Sequence, residues 1–124
     1  MPPTPIRVLI ADDHRLFSEA LEAILASEPE IEVVGFARDG EEAVERTLAL
    51  KPDVILMDIA MPGVDGVEAT KRIRKQLKRA CVLMLTGSNS RTDVARAREA
   101  GAAGYVTKDK IAAQLIEAIR DLAA

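Results

Sequence analysis

Aromatic side chains are nearly missing: the 124 residues hold two Phe, one Tyr and no Trp. Ring packing therefore cannot build the core, and Ala, Leu, Ile and Val must supply it. There is one cysteine, Cys81, which excludes an internal disulfide framework and suits a reducing compartment. Cys81 lies in an apolar run, which predicts a small buried side chain. No apolar run approaches the roughly 20 residues of a membrane helix, and no signal-peptide pattern opens the chain. The expected location is the cytoplasm, with no membrane contact. Positive charge is not in excess either. The formal net charge is −3, so the domain as a whole does not invite nucleic acid. The length still allows one domain with a real core.

What is present is a run that the rest of the chain is organised around. Val54-Ile55-Leu56-Met57 leads straight into Asp58, and Met61-Pro62-Gly63 turns the chain behind it. An uninterrupted apolar run of this kind suits a strand buried on both faces of a parallel sheet. Asp58 then stands at the strand's C-terminal end, the edge where open α/β sheets bind ligands.

Before the first strand, residues 1–5 hold three prolines and read as an extended leader, leaving 6–124 as the domain. Ile6 to Ala11 reads as a strand ending in Asp12 and Asp13, and a helix follows with Phe17, Ala20, Leu21, Ile24 and Leu25 at helical spacing. Ile31 to Ala37 is a second strand, Asp39-Gly40 a turn, and Ala43, Val44 and Leu48 the inner face of a second helix. After Gly66, Thr70, Ile73 and Leu77 mark a third helix. Its outer face carries Lys71, Arg72, Arg74, Lys75, Lys78 and Arg79, most simply a solvated face. Ala80 to Leu85 is a fourth strand, ending at Thr86-Gly87-Ser88. Ser90 and Asp93 resemble a capping box for a fourth helix, which buries little beyond Val94 and alanines and ends at Gly101. Gly104 to Thr107 is a short fifth strand ending at Lys108. Ile111, Leu115, Ile119 and Leu122 face inward from a last helix.

Strands that alternate with helices imply a parallel sheet covered on both faces. Right-handed crossovers then favour an α/β, doubly wound five-stranded sheet, (βα)5, in the flavodoxin-like order 2-1-3-4-5. That sheet would gather Asp12, Asp13, Asp58, Thr86 and Lys108 at one edge. Carboxylates so crowded repel, and a hard divalent cation would reverse the penalty. Oxygen ligands suit Mg²⁺, while Lys108 and Thr86 fit a phosphoryl group. Asp58 can serve as the nucleophile, because carboxylates form acyl phosphates. His14 reads as a surface or neighbouring residue, since Mg²⁺ prefers oxygen.

Asp12-Asp13-His14, the stretch from Asp58 to Gly66, Leu85-Thr86, and Gly104 to Lys108 together resemble a response-regulator receiver domain of bacterial two-component signalling. The Asp-Asp-His opening and the Lys108-Asp109 ending look most like the nitrate-response-type subfamily. The resemblance implies that Asp58 accepts a phosphoryl group from a phosphohistidine on a sensor histidine kinase. It implies Mg²⁺ held by Asp13, Asp58 and the Ala60 backbone carbonyl, with Asp12 acting through water. It implies Thr86 and Tyr105 as a switch pair and Lys108 as the phosphoryl contact. Many receivers carry a cis proline after the lysine; Asp109 stands here, so a trans bond is expected. The subfamily carries a C-terminal helix-turn-helix domain, so DNA would be reached only through a domain absent from this chain.

Phosphorylation is expected to change the surface of helix four, strand five and helix five, where Ile116 could join a phosphorylation-dependent homodimer. Ala60 and Ser88 are small and would leave room for the water that hydrolyses the acyl phosphate. The expected function is a signalling switch rather than a turnover enzyme, most simply the receiver part of a transcriptional regulator. The alternatives are a stand-alone adaptor, a Mg²⁺-dependent phosphatase with an aspartyl nucleophile, and a flavin-binding module. Such phosphatases usually place a second acid where Ala60 stands. A flavin module would want a phosphate loop where this chain has Asp12 and Asp13.

Overall fold

The computed structural model describes residues 4–87 and 91–124. In chain order the elements are β1 (Ile6–Ala11), α1 (Arg15–Ala26), β2 (Ile31–Ala37), α2 (Gly40–Leu50), β3 (Val54–Asp58), α3 (Gly66–Gln76), β4 (Cys81–Thr86), α4 (Arg91–Ala100), β5 (Gly104–Thr107) and α5 (Ile111–Ala123). A single 3-10 turn, Lys108–Lys110, joins β5 to α5. All strand pairings are parallel and the order is β2-β1-β3-β4-β5, as the alternation predicts. No cis peptide bond occurs among the described residues.

The period-2 alternation of the central strands explains the layers. Leu9, Ala11, Ile55, Met57, Val82 and Met84 face one side, where they join residues of α2, α3 and α4 in one core. Val8, Ile10, Val54, Leu56, Leu83 and Leu85 face the other side, against α1 and α5. Both faces are buried, which is why these strands read as unbroken apolar runs. Each fully buried Leu, Ile or Val contributes about 1.5–3 kcal/mol. The helices do not share that burial equally. α5 buries Ile111, Leu115 and Ile119, whereas α4 buries only Ala97 and Ala100, with Val94 half-buried. α4 is thus the most weakly held helix by this measure.

Several local expectations change. Asp39-Gly40 is not a free turn: Asp39 caps α2, accepting from the Glu42 N–H, and Gly40 is the helix's first residue. Thr47, rather than Leu48, is the fully buried residue of α2's second turn. Ala20 is exposed and Ser18 is buried in its place. Cys81 is only half-buried, because it opens β4 at the sheet's N-terminal edge. Arg74 does not join the outer face of α3. Its guanidinium donates to the carbonyls of Lys78 and Ala80 and lies against Gly101, whose positive φ of 99° ends α4 as expected. The expected leader falls partly outside the described residues, and Ser88 and Ser90 fall outside them, leaving only Asp93 of the expected capping box described, in the first turn of α4.

Candidate phosphoacceptor site

The site is built by three strand ends. Asp12 follows β1, Asp58 ends β3 and Thr86 ends β4, and each is only 2% exposed. Asp12 is registered to β2 by its N–H, which donates to the Ala37 carbonyl at 2.9 Å. Its Oδ1 accepts from the His14 N–H at 2.7 Å, turning the chain into α1. Its Oδ2 is buried with no hydrogen-bond partner. Asp13 stays exposed at the rim.

Beyond Asp58 the chain turns through residues 59–65 into α3. The Ala60 N–H donates to Asp58 Oδ1 at 3.3 Å, and the Ile59 N–H donates to the Leu85 carbonyl at 3.0 Å. Gly63 takes a positive φ of 69° within this turn, which suits glycine. Gly66 is required for a different reason. A Cβ there would lie 2.2 Å from the Asp58 carbonyl oxygen, so α3 can start this close to the end of β3 only with glycine.

Lys108 arrives from β5. Its Nζ stands 3.4 Å from Asp58 Oδ2 and 3.6 Å from Asp12 Oδ2. The same ammonium lies 4.4 Å from the centroid of the Phe17 ring on α1. The helical spacing marked Phe17 only as packing. Its place beside the lysine depends on how α1 lies across the sheet, which periodicity does not report. Gly40, part of an Asp-Gly turn by sequence, likewise lies against Val64 of the 59–65 turn.

Burial, and then the Asp12 charge, raise the Asp58 pKa above its ordinary value; Lys108 and the Ala60 N–H pull against them. Ligand atoms of Asp12, Asp13, His14 and Asp58 all lie within 4.8 Å of one another. The three carboxylates form an oxygen-rich set, and the buried Asp12 Oδ2 accepts no hydrogen bond, the Lys108 ammonium standing off at 3.6 Å. These residues fit a hard divalent cation such as Mg²⁺. The His14 ring is largely exposed, with Nδ1 3.3 Å from Asp12 Oδ1 and 3.2 Å from Asp13 Oδ1.

Of the remaining expected residues, Thr86 faces Thr107 in the β4–β5 register, one residue before Lys108. Tyr105 is 44% exposed on β5 and lines a shallow cleft with Val94, Ala97 and Arg98 of α4. Ala60 is exposed at the mouth of the site, where it shares a cleft with Asp13, Asp65 and Arg96. Arg96 of α4 pairs with Asp65, the cap of α3, at 3.2 Å. Among the described residues, no helix is long and apolar enough to cross a membrane.

Comparison with known proteins agrees with this fold. The chain is 46% identical over 118 residues to the transcriptional regulatory protein DegU of Brevibacillus brevis, covering 95% of this chain and 50% of that protein. It is 38% identical over 117 residues to the nitrate/nitrite response regulator protein NarP of Escherichia coli, covering 94% and 54%. The chain spans about half the length of these curated relatives. Among solved structures, the signal receiver domain of the response regulator NarL from Mycobacterium tuberculosis superimposes with a TM-score of 0.93. The two are 36% identical, over 98% of both chains. Residues 8–120 match the family described as the response regulator receiver domain. With residues 8–120 matching that family and the fold shared along nearly its whole length, the chain belongs to the response regulator receiver domains, of the type found in nitrate-response regulators.

Proposed function

We propose that this domain is a phosphorylation-controlled switch in which Asp58 receives a phosphoryl group from a phosphohistidine of a sensor histidine kinase. The observation that carries the reading is the Lys108 ammonium held between the buried Asp58 and Asp12 carboxylates. In the transfer an Asp58 oxygen attacks phosphorus, the P–N bond of the donor breaks, and the imidazole leaves. The product is an acyl phosphate. The charge on the transferring group needs fixed positive partners. Lys108 is one of them. Asp13, Asp58 and the Ala60 carbonyl would hold Mg²⁺, with Asp12 acting through water. When bound, Mg²⁺ supplies neutralising charge to the phosphoryl oxygens.

Thr86 and Tyr105 then act as the switch pair. The Thr86 hydroxyl turns toward the phosphoryl oxygen and Tyr105 follows into the vacated space. The result is a changed α4–β5–α5 surface, on which a homodimer including Ile116 forms. Ala60 and Ser88 leave room for the hydrolytic water and tune the lifetime. The domain is a switch and not a turnover enzyme, because Ala60 stands where an aspartyl phosphatase usually carries its second acid. It works in the cytoplasm as residues 6–124 of a transcriptional regulator, with residues 1–5 as a leader. DNA is reached through a separate C-terminal domain.

The test is incubation with acetyl phosphate or a phosphorylated kinase, with and without EDTA. Label is expected on Asp58 alone, lost with EDTA and absent from Asp58→Asn. Label at another carboxylate in that variant, or label indifferent to EDTA, would overturn the reading.

A further inference from the structure

The turn after Asp58 is gripped from a side that the chemistry does not use. Gly40, the first residue of α2, packs directly on Val64 of the 59–65 turn. A Cβ at residue 40 would lie 2.1 Å from the Val64 carbonyl oxygen and 2.7 Å from both Val64 C and Cγ1. The obstacle is backbone, so no rotamer change relieves it. Gly40 has no positive φ that would demand glycine on conformational grounds. Its requirement is proximity alone.

The helix end that carries Gly40 is itself firmly placed. Asp39 accepts from the Glu42 N–H at 2.8 Å, and the Glu42 carboxylate accepts from the Arg38 N–H at 3.0 Å. Two residues before Asp39, the Ala37 carbonyl accepts from the Asp12 N–H. A closed circuit results. It runs from Asp12 through Ala37 to the capped start of α2, across the Gly40–Val64 contact, and back along the turn to Ala60 and Asp58. Asp12 and Asp58 come from adjacent strands. Their carboxylates are registered to each other once through the sheet and once through this outer path.

We infer that Gly40 is a positioning residue for phosphoryl acceptance: its missing side chain sets the height of the 59–65 turn, and so of the Ala60 backbone, above the carboxylate cluster. The inference rests on the switch reading above. Alanine at residue 40 would force the turn or the helix to retreat by about 1.3 Å, from 2.1 Å to ordinary contact at 3.4 Å. A misplacement of about that size at a reacting centre costs on the order of 10²-fold in rate.

The experiment compares wild type, Gly40→Ala and Ala43→Gly. Ala43 is buried one turn further along α2, and its substitution only removes a methyl group, so it weakens the helix without pushing on Val64. Mg²⁺ affinity is read from amide NMR titration, following the Ala60 signal. Phosphoryl uptake is read from acetyl phosphate, and folding from thermal melts. Both variants are expected to melt lower. Only Gly40→Ala is expected to shift the metal-free Ala60 signal, weaken Mg²⁺ binding tenfold or more and slow uptake. Equal Mg²⁺ affinity and uptake in folded Gly40→Ala and wild type would overturn the inference, and so would losses of the same size in Ala43→Gly. If Gly40→Ala does not fold, Val64→Gly is measured in the Gly40 background, where it removes the Cγ1 side of the contact and loosens the grip on the turn. A shifted metal-free Ala60 signal with weaker Mg²⁺ binding is expected, and wild-type values for both would overturn the inference. A wild type that neither binds Mg²⁺ nor takes up phosphate would instead refute the switch reading itself.

Discussion

The ammonium of Lys108 rests 4.4 Å from the centre of the Phe17 ring while it faces the Asp58 carboxylate. A flexible lysine stem is held by an aromatic face on one side and two acids on the other. Cation–π contacts contribute about 0.5–2 kcal/mol depending on desolvation. Phe17→Leu should keep most of the packing and release the lysine. The expected outcome is a beryllofluoride affinity roughly 2- to 30-fold lower than wild type, with little change in melting temperature. Titration followed by NMR measures it, and an unchanged affinity returns Phe17 to a packing role.

Asp58 is more costly when ionised than an ordinary aspartate. Its pKa is raised from 3.8, first by burial and second by Asp12. The sign follows from linkage. As pH rises from the ordinary value through the raised one, the unfolded chain loses this proton first, so stability falls across that window. Above the raised value the cost is fully expressed. Asp58→Asn should therefore melt above wild type in EDTA. Saturating Mg²⁺ should then favour wild type, since a ligand at about 100 times its dissociation constant adds roughly 2.7 kcal/mol. Calorimetry in EDTA and in Mg²⁺ tests both signs. An Asp58→Asn variant that melts below wild type in EDTA contradicts the burial argument.

Thr86 is buried beside the site, and α4 after it is weakly held by Ala97 and Ala100. Few new hydrogen bonds are needed to bias such an element. Beryllofluoride should shift amide signals across residues 86–106 and strengthen self-association. In Thr86→Ala, Asp58 should still accept phosphate while that distant shift shrinks. A full wild-type shift in the variant would place the coupling elsewhere.

Thr47 offers a control remote from the chemistry. It is fully buried and its Oγ1 has no hydrogen-bond partner. An unsatisfied buried hydroxyl costs about 1–3 kcal/mol. Thr47→Val keeps the shape and should raise stability by about 1 kcal/mol, or roughly 4 °C in a melt of a domain this size. Denaturant and thermal melts check it, and a lower midpoint would mean the hydroxyl is satisfied by water.

Sequence patterns carried the strands, the helices and the gathering of Asp12, Asp58, Thr86 and Lys108, because each depends on period and on strand direction alone. A run such as Val54 to Met57 declares burial on both faces, and a parallel sheet then sends its last residue to a known edge. What stayed hidden depends on contact between elements far apart in the chain. Gly40 resembled any Asp-Gly turn, since nothing local shows that Val64 lies against it. Arg74 fell on the basic side of α3 by spacing, but its length lets it fold back to the Lys78 and Ala80 carbonyls. Phe17 met the helical period and gave no sign of the lysine above it.

The scarcity of rings has a spectroscopic consequence. With no Trp and one Tyr in the chain, intrinsic ultraviolet emission of the protein comes essentially from Tyr105. That ring sits 44% exposed on β5, in the cleft it shares with α4. The native domain therefore carries its own fluorophore at the edge of the surface that should move. Its quantum yield and its quenching by iodide report on one residue, without a label and without a second emitter to subtract.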